Sequence, residues 1–134
     1  MPRARVTSKR EAVVFVSHGR MYMPIRYDAS GWPEGLDPRV TTQLSEDDGI
    51  GPQHLRRTSG IPVEATDRVL AGVDRKLSMF DPTVHYITLA VWPDSYSQFR
   101  ILRDHVVRKG FEYRLLLLGP GEPVGFGSVV PHVQ

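Results

Sequence analysis

The chain has 134 residues, of which 40% are hydrophobic and 24% are charged, and its formal net charge at pH 7 is +2. These values predict one globular, soluble domain and exclude a disordered chain. No apolar run approaches the roughly 20 residues that a membrane-spanning helix needs. The chain contains no cysteine, which excludes disulfides, thiolate catalysis and cysteine metal sites.

The N-terminal region is predicted to be a flexible basic arm, residues 1–11, followed by a β-hairpin. The apolar part of this region is too short for the core of a signal peptide. We therefore expect a cytoplasmic location, and a periplasmic one stays open if the chain is part of a membrane-anchored assembly. The hairpin is predicted over residues 12–25, because two apolar runs flank a tight His18-Gly19-Arg20 turn in which Gly19 accepts a positive φ.

A long segment rich in glycine and proline, residues 28–60, separates the hairpin from the first predicted helix. A segment of this length without regular structure is usually functional or disordered, so an ordered binding loop and a flexible insertion both stay open. Apolar residues then recur at helical spacing from Val63 to Phe80. This periodicity predicts a helix over residues 62–79, with Pro62 at its first position.

The pattern of a β-α-β unit follows. Residues 85–92, rich in β-branched and aromatic side chains, predict a strand. Ser95 and Gln98 have the spacing of a capping box and predict the start of a helix, and Gly110 predicts its end. Residues 113–118 form the second predicted strand, which we expect to be a core strand parallel to the first.

The predicted order of elements is therefore β-β-α-β-α-β. Because each helix has one apolar stripe, we expect an α+β fold, a two-layer α/β sandwich with both helices on one face of a mixed sheet that includes the N-terminal hairpin. We predict a single domain over residues 12–126, with the long loop 28–60 inside it and a C-terminal tail at 127–134. The second face of the sheet must then be open or covered by the long loop.

The segments Gly19-Arg20-Met21-Tyr22 and Lys109-Gly110-Phe111, with helix 62–79 and strand Ile87–Asp94 between them, carry a family resemblance. In this order they resemble the periplasmic domain of the ExbD/TolR biopolymer-transport family, over about residues 12–118 and with a large insertion. The resemblance implies a component related to ExbD/TolR-type assemblies. The chain has neither the membrane helix of that family nor its proton-linked aspartate, so a proton-driven role is not expected. The strand-Pro-Asp-helix segment is also similar to one in uncharacterised bacterial proteins, which implies no activity.

Four residues are candidates for a ligand crevice. Asp94 and Ser95 follow the carboxyl end of a central strand, where ligands bind in open α/β sheets, and Gly119 and Gly121 follow the last strand at the same edge. Helix capping alone accounts for Asp94 and Ser95. None of the five histidines belongs to a metal or catalytic motif, so we predict no catalytic residue, no metal site and no cofactor.

The first of three function hypotheses is a non-catalytic interaction domain. It would act through an exposed sheet face or edge on a protein partner or on a second copy of the chain. Tyr22, Tyr86 and Trp92 are the candidates for this interaction surface, because they are predicted on the face that the helices do not cover. A complete fold pattern without a catalytic constellation favours this hypothesis.

Two alternatives stay open. One is a small hydrolase or phosphate-binding enzyme with a site near Asp94, to which a loop brings His18 or His54. The other is weak nucleic-acid binding through the basic arm and Arg56-Arg57. We do not expect a nucleic-acid partner, because such proteins usually have a longer basic stripe with interleaved aromatic residues.

Overall fold

The computed structural model describes residues 9–42 and 49–125. These residues form seven strands and two α-helices: β1 (Arg10–Ser17), β2 (Arg20–Tyr22), β3 (Ile25–Tyr27), β4 (Pro33–Leu36), β5 (Ile61–Pro62), α1 (Asp67–Leu77), β6 (His85–Val91), α2 (Tyr96–Arg108) and β7 (Tyr113–Leu117). Short 3-10 turns lie at Pro52–His54, Arg57–Ser59 and Pro93–Ser95. The predicted α+β fold is confirmed.

Five of the strands form one mixed sheet in the order β5-β2-β1-β6-β7. β1 is parallel to β6 and β6 is parallel to β7, whereas β2 is antiparallel to both β1 and β5. A two-residue turn joins β1 to β2, in which His18 has φ 57° and Gly19 has φ 67°. Two consecutive positive φ angles are typical of the type I′ turn, whose twist suits a hairpin. β3 and β4 form a separate two-stranded sheet.

Both helices cover one face of the sheet, as predicted. Alternate residues of the two central strands point to this face and are fully or nearly fully buried. They pack against the apolar stripes of the helices and the residues that flank them. The main members of this core are Ala12, Val14 and Val16 of β1, Ile87, Leu89 and Val91 of β6, Val73 and Leu77 of α1, and Phe99, Leu102 and Val106 of α2.

The opposite face is covered by parts of the long loop. Ile50 exchanges two backbone hydrogen bonds of 2.8 Å with Val124, and both side chains belong to a second core on this face with Tyr22 and Trp92. Tyr22 and Trp92 are each only 1% exposed. The prediction that these two aromatic residues lie on an accessible surface is therefore wrong, because the loop and the C-terminal segment bury them.

The described part of the long loop is held by its own hydrogen bonds. The Nε atom of Arg56 donates to the carbonyl oxygens of Pro38 and Thr41, at 3.1 and 3.2 Å. Thr41 also forms a β-bridge with Leu55. These bonds favour the interpretation of residues 28–60 as an ordered loop over that of a flexible insertion, within the residues described.

Two predicted boundaries need correction. The first helix begins at Asp67, five residues after the predicted start, because the hydroxyl of Thr66 accepts a hydrogen bond from the Val69 N–H and caps it. Pro62 lies instead in β5, where it pairs with Arg20. β1 begins at Arg10, so the last two residues of the predicted arm belong to the sheet. The rest of that arm up to residue 8, and the predicted tail, lie outside the described residues.

The order of elements in the β-α-β unit and the end of α2 match their prediction. α2 ends at Arg108, and Gly110 has the left-handed φ of 91° expected after a helix. The N–H of Phe111 then donates to the carbonyl oxygen of Val106 at 3.0 Å, and the Phe111 ring is buried beneath the helices. Neither helix of the described chain combines the length and the apolar character required to cross a membrane.

Candidate functional site

The turn between β1 and β2 is bound to the segment that follows β6. The N–H of His18 donates to Asp94 Oδ2 at 3.1 Å, and the N–H of Gly19 donates to Ser95 Oγ at 2.9 Å. Ser95 Oγ donates in turn to Asp94 Oδ1 at 2.8 Å. The two side chains predicted for a ligand crevice therefore bind the backbone of the hairpin turn.

The predicted capping role of Ser95 is wrong. Ser95 does precede the first residue of α2, but its side chain makes no capping hydrogen bond. The hydroxyl is completely buried and is used by Gly19 and Asp94 instead. Gln98, the other member of the predicted capping box, lies beside the turn: a methyl group added at Gly19 would be 3.5 Å from Gln98 Nε2.

The side chain of His18 faces Tyr22 and not Asp94. The Tyr22 hydroxyl lies 3.5 Å from His18 Nδ1, at the outer limit of a hydrogen bond. No hydrogen bond joins the His18 ring to Asp94 among the described residues, so the site lacks the histidine–aspartate pair that the enzyme hypothesis requires. His54 is engaged elsewhere, since its Nδ1 accepts from the N–H of Gly51 at 2.9 Å.

Positive charge surrounds this histidine. Burial lowers the pKa of His18, and the positive charge of Arg57 lowers it further; Asp94 opposes the shift, and Arg20 adds to it. Burial also raises the pKa of Tyr22, so its phenol is protonated at neutral pH. A neutral imidazole has one N–H donor and one acceptor nitrogen.

Gly119 and Gly121 belong to a different turn. The N–H of Gly119 donates to Glu122 Oε1 at 2.7 Å, and Gly121 has a φ of 71°. The carbonyl oxygen of Glu122 accepts a hydrogen bond of 2.8 Å from the Trp92 ring N–H, which fixes this turn over the buried indole. The four crevice candidates thus split into two pairs, each with its own hydrogen-bond partners.

The other two histidines that the structure describes, His105 and His85, contact groups of the fold itself. His105 Nε2 lies 2.6 Å from Asp74 Oδ1 and joins α2 to α1, and Lys109 Nζ lies 3.3 Å from Asp74 Oδ2. His85 is buried, with its Nε2 3.5 Å from the carbonyl oxygen of Gly31. Within residues 9–42 and 49–125, no group of three or more histidine and carboxylate side chains is arranged to hold a metal ion.

Tyr86 is the one member of the predicted interaction surface that keeps partial exposure; it is half-buried on β6. Its partial burial raises the pKa of its hydroxyl, and the negative charge of Glu11 raises that pKa further. Glu11 accepts hydrogen bonds from Thr88 Oγ1 and, at 2.8 Å, from Arg114 Nη2. Tyr86 therefore borders a polar cluster and not an apolar patch.

The largest change from prediction concerns β7, which is the edge strand of the sheet. Among the described strands, β7 pairs with β6 alone, and Tyr113, Leu115 and Leu117 are 39%, 38% and 57% exposed. The prediction of a core strand holds for Leu118, which is buried just beyond the end of β7, and in part for Leu116, which packs against the second core. Three apolar side chains on an unpaired edge are unusual, because natural edge strands are commonly protected by charge, proline or a bulge.

These three side chains lie on the helix side of the sheet. The register places them opposite Ile87, Leu89 and Val91, all of which point into the helix-side core. Directly paired residues share a face, so α2 must leave this part of the face uncovered.

The flank of α2 adds two apolar residues to this patch. Tyr96 is 41% exposed and Val107 is 51% exposed. By helical geometry both lie on the opposite flank from His105, which faces α1. Since α1 contacts β5 whereas α2 contacts β6 and β7, that flank faces the free edge. We call Tyr96, Val107, Tyr113, Leu115 and Leu117 the β7 surface.

One sequence pattern indicates the β7 surface. Tyr113, Leu115 and Leu117 alternate along the last long strand that the sequence predicts. An alternating Tyr-x-Leu-x-Leu row on such a strand indicates an exposed apolar stripe.

The chain was compared with family models, with curated proteins and with solved structures. No family model, no curated protein and no solved structure matches the chain.

Proposed function

We propose that this chain is a non-catalytic interaction domain that associates with a second copy of itself through the β7 surface. The observation that carries the proposal is the edge position of β7 together with the exposure of Tyr113, Leu115 and Leu117 on one face. An edge strand presents unpaired N–H and C=O groups in a row, and a second strand satisfies them by pairing alongside.

Antiparallel pairing of β7 with itself fits this surface best. A two-fold axis through Leu115 pairs all five residues of the strand, with Leu115 opposite its own copy and Tyr113 opposite Leu117. Every apolar side chain of the row then meets an apolar side chain, as an isologous interface requires. The axis is perpendicular to the sheet, so the α2 helices of both copies lie on the same side and flank the row.

The antiparallel pairing of two β7 strands brings no like charges opposite each other. The charged residue of β7 is Arg114, which points to the other face and pairs with Glu11 at 2.8 Å. In the proposed register Arg114 lies opposite Leu116 of the second copy, not opposite another arginine. Like charges directly opposite each other would have been destabilising.

The proposal is tested by light scattering during size-exclusion chromatography at loading concentrations of roughly 1–100 µM. The unmodified chain is expected to elute with the mass of a dimer at the upper end of this range. Leu115→Lys is expected to give a monomer with unchanged circular dichroism, because it places two ammonium groups opposite each other.

Met79→Lys is the matched control. Met79 is 61% exposed and lies outside the β7 surface, so this variant should elute like the unmodified chain. The proposal is contradicted if the unmodified chain elutes as a monomer at every concentration, or if Leu115→Lys elutes as a dimer.

The relation to ExbD/TolR-type assemblies stays a prediction. Self-association through β7 is compatible with it and does not depend on it. Nucleic-acid binding through Arg56-Arg57 is less favoured, because the Arg56 Nε atom is used by two loop carbonyl groups.

A further inference from the structure

The hairpin turn and the segment before β5 bring two arginines to one histidine. Gly60 packs so closely on β2 that a methyl group there would lie 2.7 Å from Tyr22 Cε2 and 2.9 Å from Arg20 Cβ. The carbonyl oxygen of Gly60 accepts a hydrogen bond of 3.2 Å from Arg20 Nη1. The same short turn carries Arg57, whose carbonyl oxygen accepts from the Gly60 N–H at 3.0 Å.

Neither guanidinium group is neutralised by a carboxylate among the described residues. The nearby carboxylate, Asp94, uses both oxygens for Ser95 and for the backbone of His18. Arg57 is exposed, and His18 and Arg20 are half-buried. The cluster thus presents two permanent positive charges and an imidazole to solvent. The one carboxylate beside it, Asp94, already accepts hydrogen bonds at both oxygens.

The turn holds the imidazole of this cluster in place. His18 is the one non-glycine residue with a positive φ among those described, because it belongs to the type I′ turn between β1 and β2. The N–H groups of His18 and Gly19 bind Asp94 and Ser95, which fixes the backbone of this turn.

We infer that His18, Arg20 and Arg57 form an anion site that takes the phosphate group of a small phosphate monoester. Guanidinium groups form paired hydrogen bonds to phosphate oxygens, and the imidazole N–H of His18 supplies a further donor. With His18 neutral, the cluster keeps the two permanent positive charges of Arg20 and Arg57. Two guanidinium groups and an imidazole suit a phosphate monoester, which has three terminal oxygens and about −1.5 to −2 charges at neutral pH, better than a carboxylate with two oxygens and one charge.

The inference is independent of the proposed dimer, since β2 is three positions from β7 in the sheet. The test is a titration of the chain with inorganic phosphate and with methyl phosphate at constant ionic strength. The imidazole signals of His18 are followed by NMR, and affinity is measured by calorimetry. Both probes are expected to produce a saturable shift of the His18 signals, and acetate is expected to bind more weakly.

Arg57→Gln is expected to weaken phosphate binding by about tenfold, and His18→Asn, which tolerates the left-handed turn, should also weaken it. Arg68→Gln is the matched control, because Arg68 is an exposed arginine on α1. The inference is overturned by the absence of a saturable shift or by equal affinities of the Arg57 and Arg68 variants. Equal binding of acetate, or binding of inorganic phosphate alone, overturns the assignment to a phosphate monoester.

Discussion

Replacement of Ser95 by alanine tests how the turn between β1 and β2 is held. The buried hydroxyl accepts from the Gly19 N–H at 2.9 Å and donates to Asp94 Oδ1 at 2.8 Å. Asp94 is exposed, so water replaces its lost donor at little cost. The part-buried Gly19 N–H has no such replacement, and an unsatisfied buried donor costs about 1–3 kcal/mol.

The expected result for Ser95→Ala is therefore a loss of about 1–3 kcal/mol in the free energy of unfolding. For a domain of this size, each kcal/mol lowers the melting temperature by about 4 °C. Urea unfolding and thermal denaturation measure both quantities. Ser97→Ala, at an exposed position on α2, is the control and should change stability by less than about 0.5 kcal/mol.

Amide hydrogen exchange distinguishes this account from ordinary helix capping, for which the stability loss would be similar. In Ser95→Ala, exchange should accelerate at Gly19 while the first-turn amides of α2 keep their rates. Faster exchange in the first turn of α2 with no change at Gly19 would refute the reasoning.

Three further changes have expected outcomes. Gly72→Ala should stabilise the chain by about 0.5–1 kcal/mol, because the added methyl group meets only an arginine nitrogen at 3.6 Å; a lower urea midpoint would contradict this. Burial raises the pKa of Asp74, but hydrogen bonds from His105 and a neighbouring lysine outweigh burial and hold the pKa below its usual 3.8. The stabilisation from this carboxylate is therefore present above pH 3.8 and lost as the pH falls through the lowered pKa. Asp74→Asn should accordingly cost about 0.5 kcal/mol at pH 7 and progressively less as the pH falls below 3.8, as measured by urea unfolding across this range. Burial raises the pKa of Tyr27 to about 12, so stability should fall as the pH rises above 10, and Tyr27→Phe should remove the last transition in an ultraviolet titration.

The β-α-β unit was predictable because its signals are local. β6 ends before a proline, Gly110 ends α2 through its positive φ, and Phe111 folds back on the helix. Each of these features depends on residues a few positions apart in the chain. The predicted fold class followed from the same periodicities.

The covering of the second sheet face was not predictable in this way. It depends on the bridge between Ile50 and Val124, which are 74 positions apart, and on loop carbonyl groups that Arg56 binds. Such bonds leave no local pattern, so the sequence predicts a surface position for Tyr22 and Trp92, although both are buried. Ser95 illustrates the same limit, because its partner Gly19 is distant in sequence.

The central claim is that β7 pairs with its own copy around Leu115, and a single introduced cysteine tests it directly. The chain has no cysteine of its own, so Leu115→Cys places one thiol at the proposed two-fold axis. Directly opposite residues of antiparallel strands have Cα atoms about 4.5–5.5 Å apart, a separation that a disulfide spans.

Mild oxidation at low concentration, followed by non-reducing electrophoresis, is the measurement. The account predicts rapid and nearly complete conversion of Leu115→Cys to a covalent dimer, whereas Met79→Cys, with a thiol at an exposed position elsewhere, stays monomeric. Equal crosslinking of the two variants, or none in Leu115→Cys, would contradict self-association through β7.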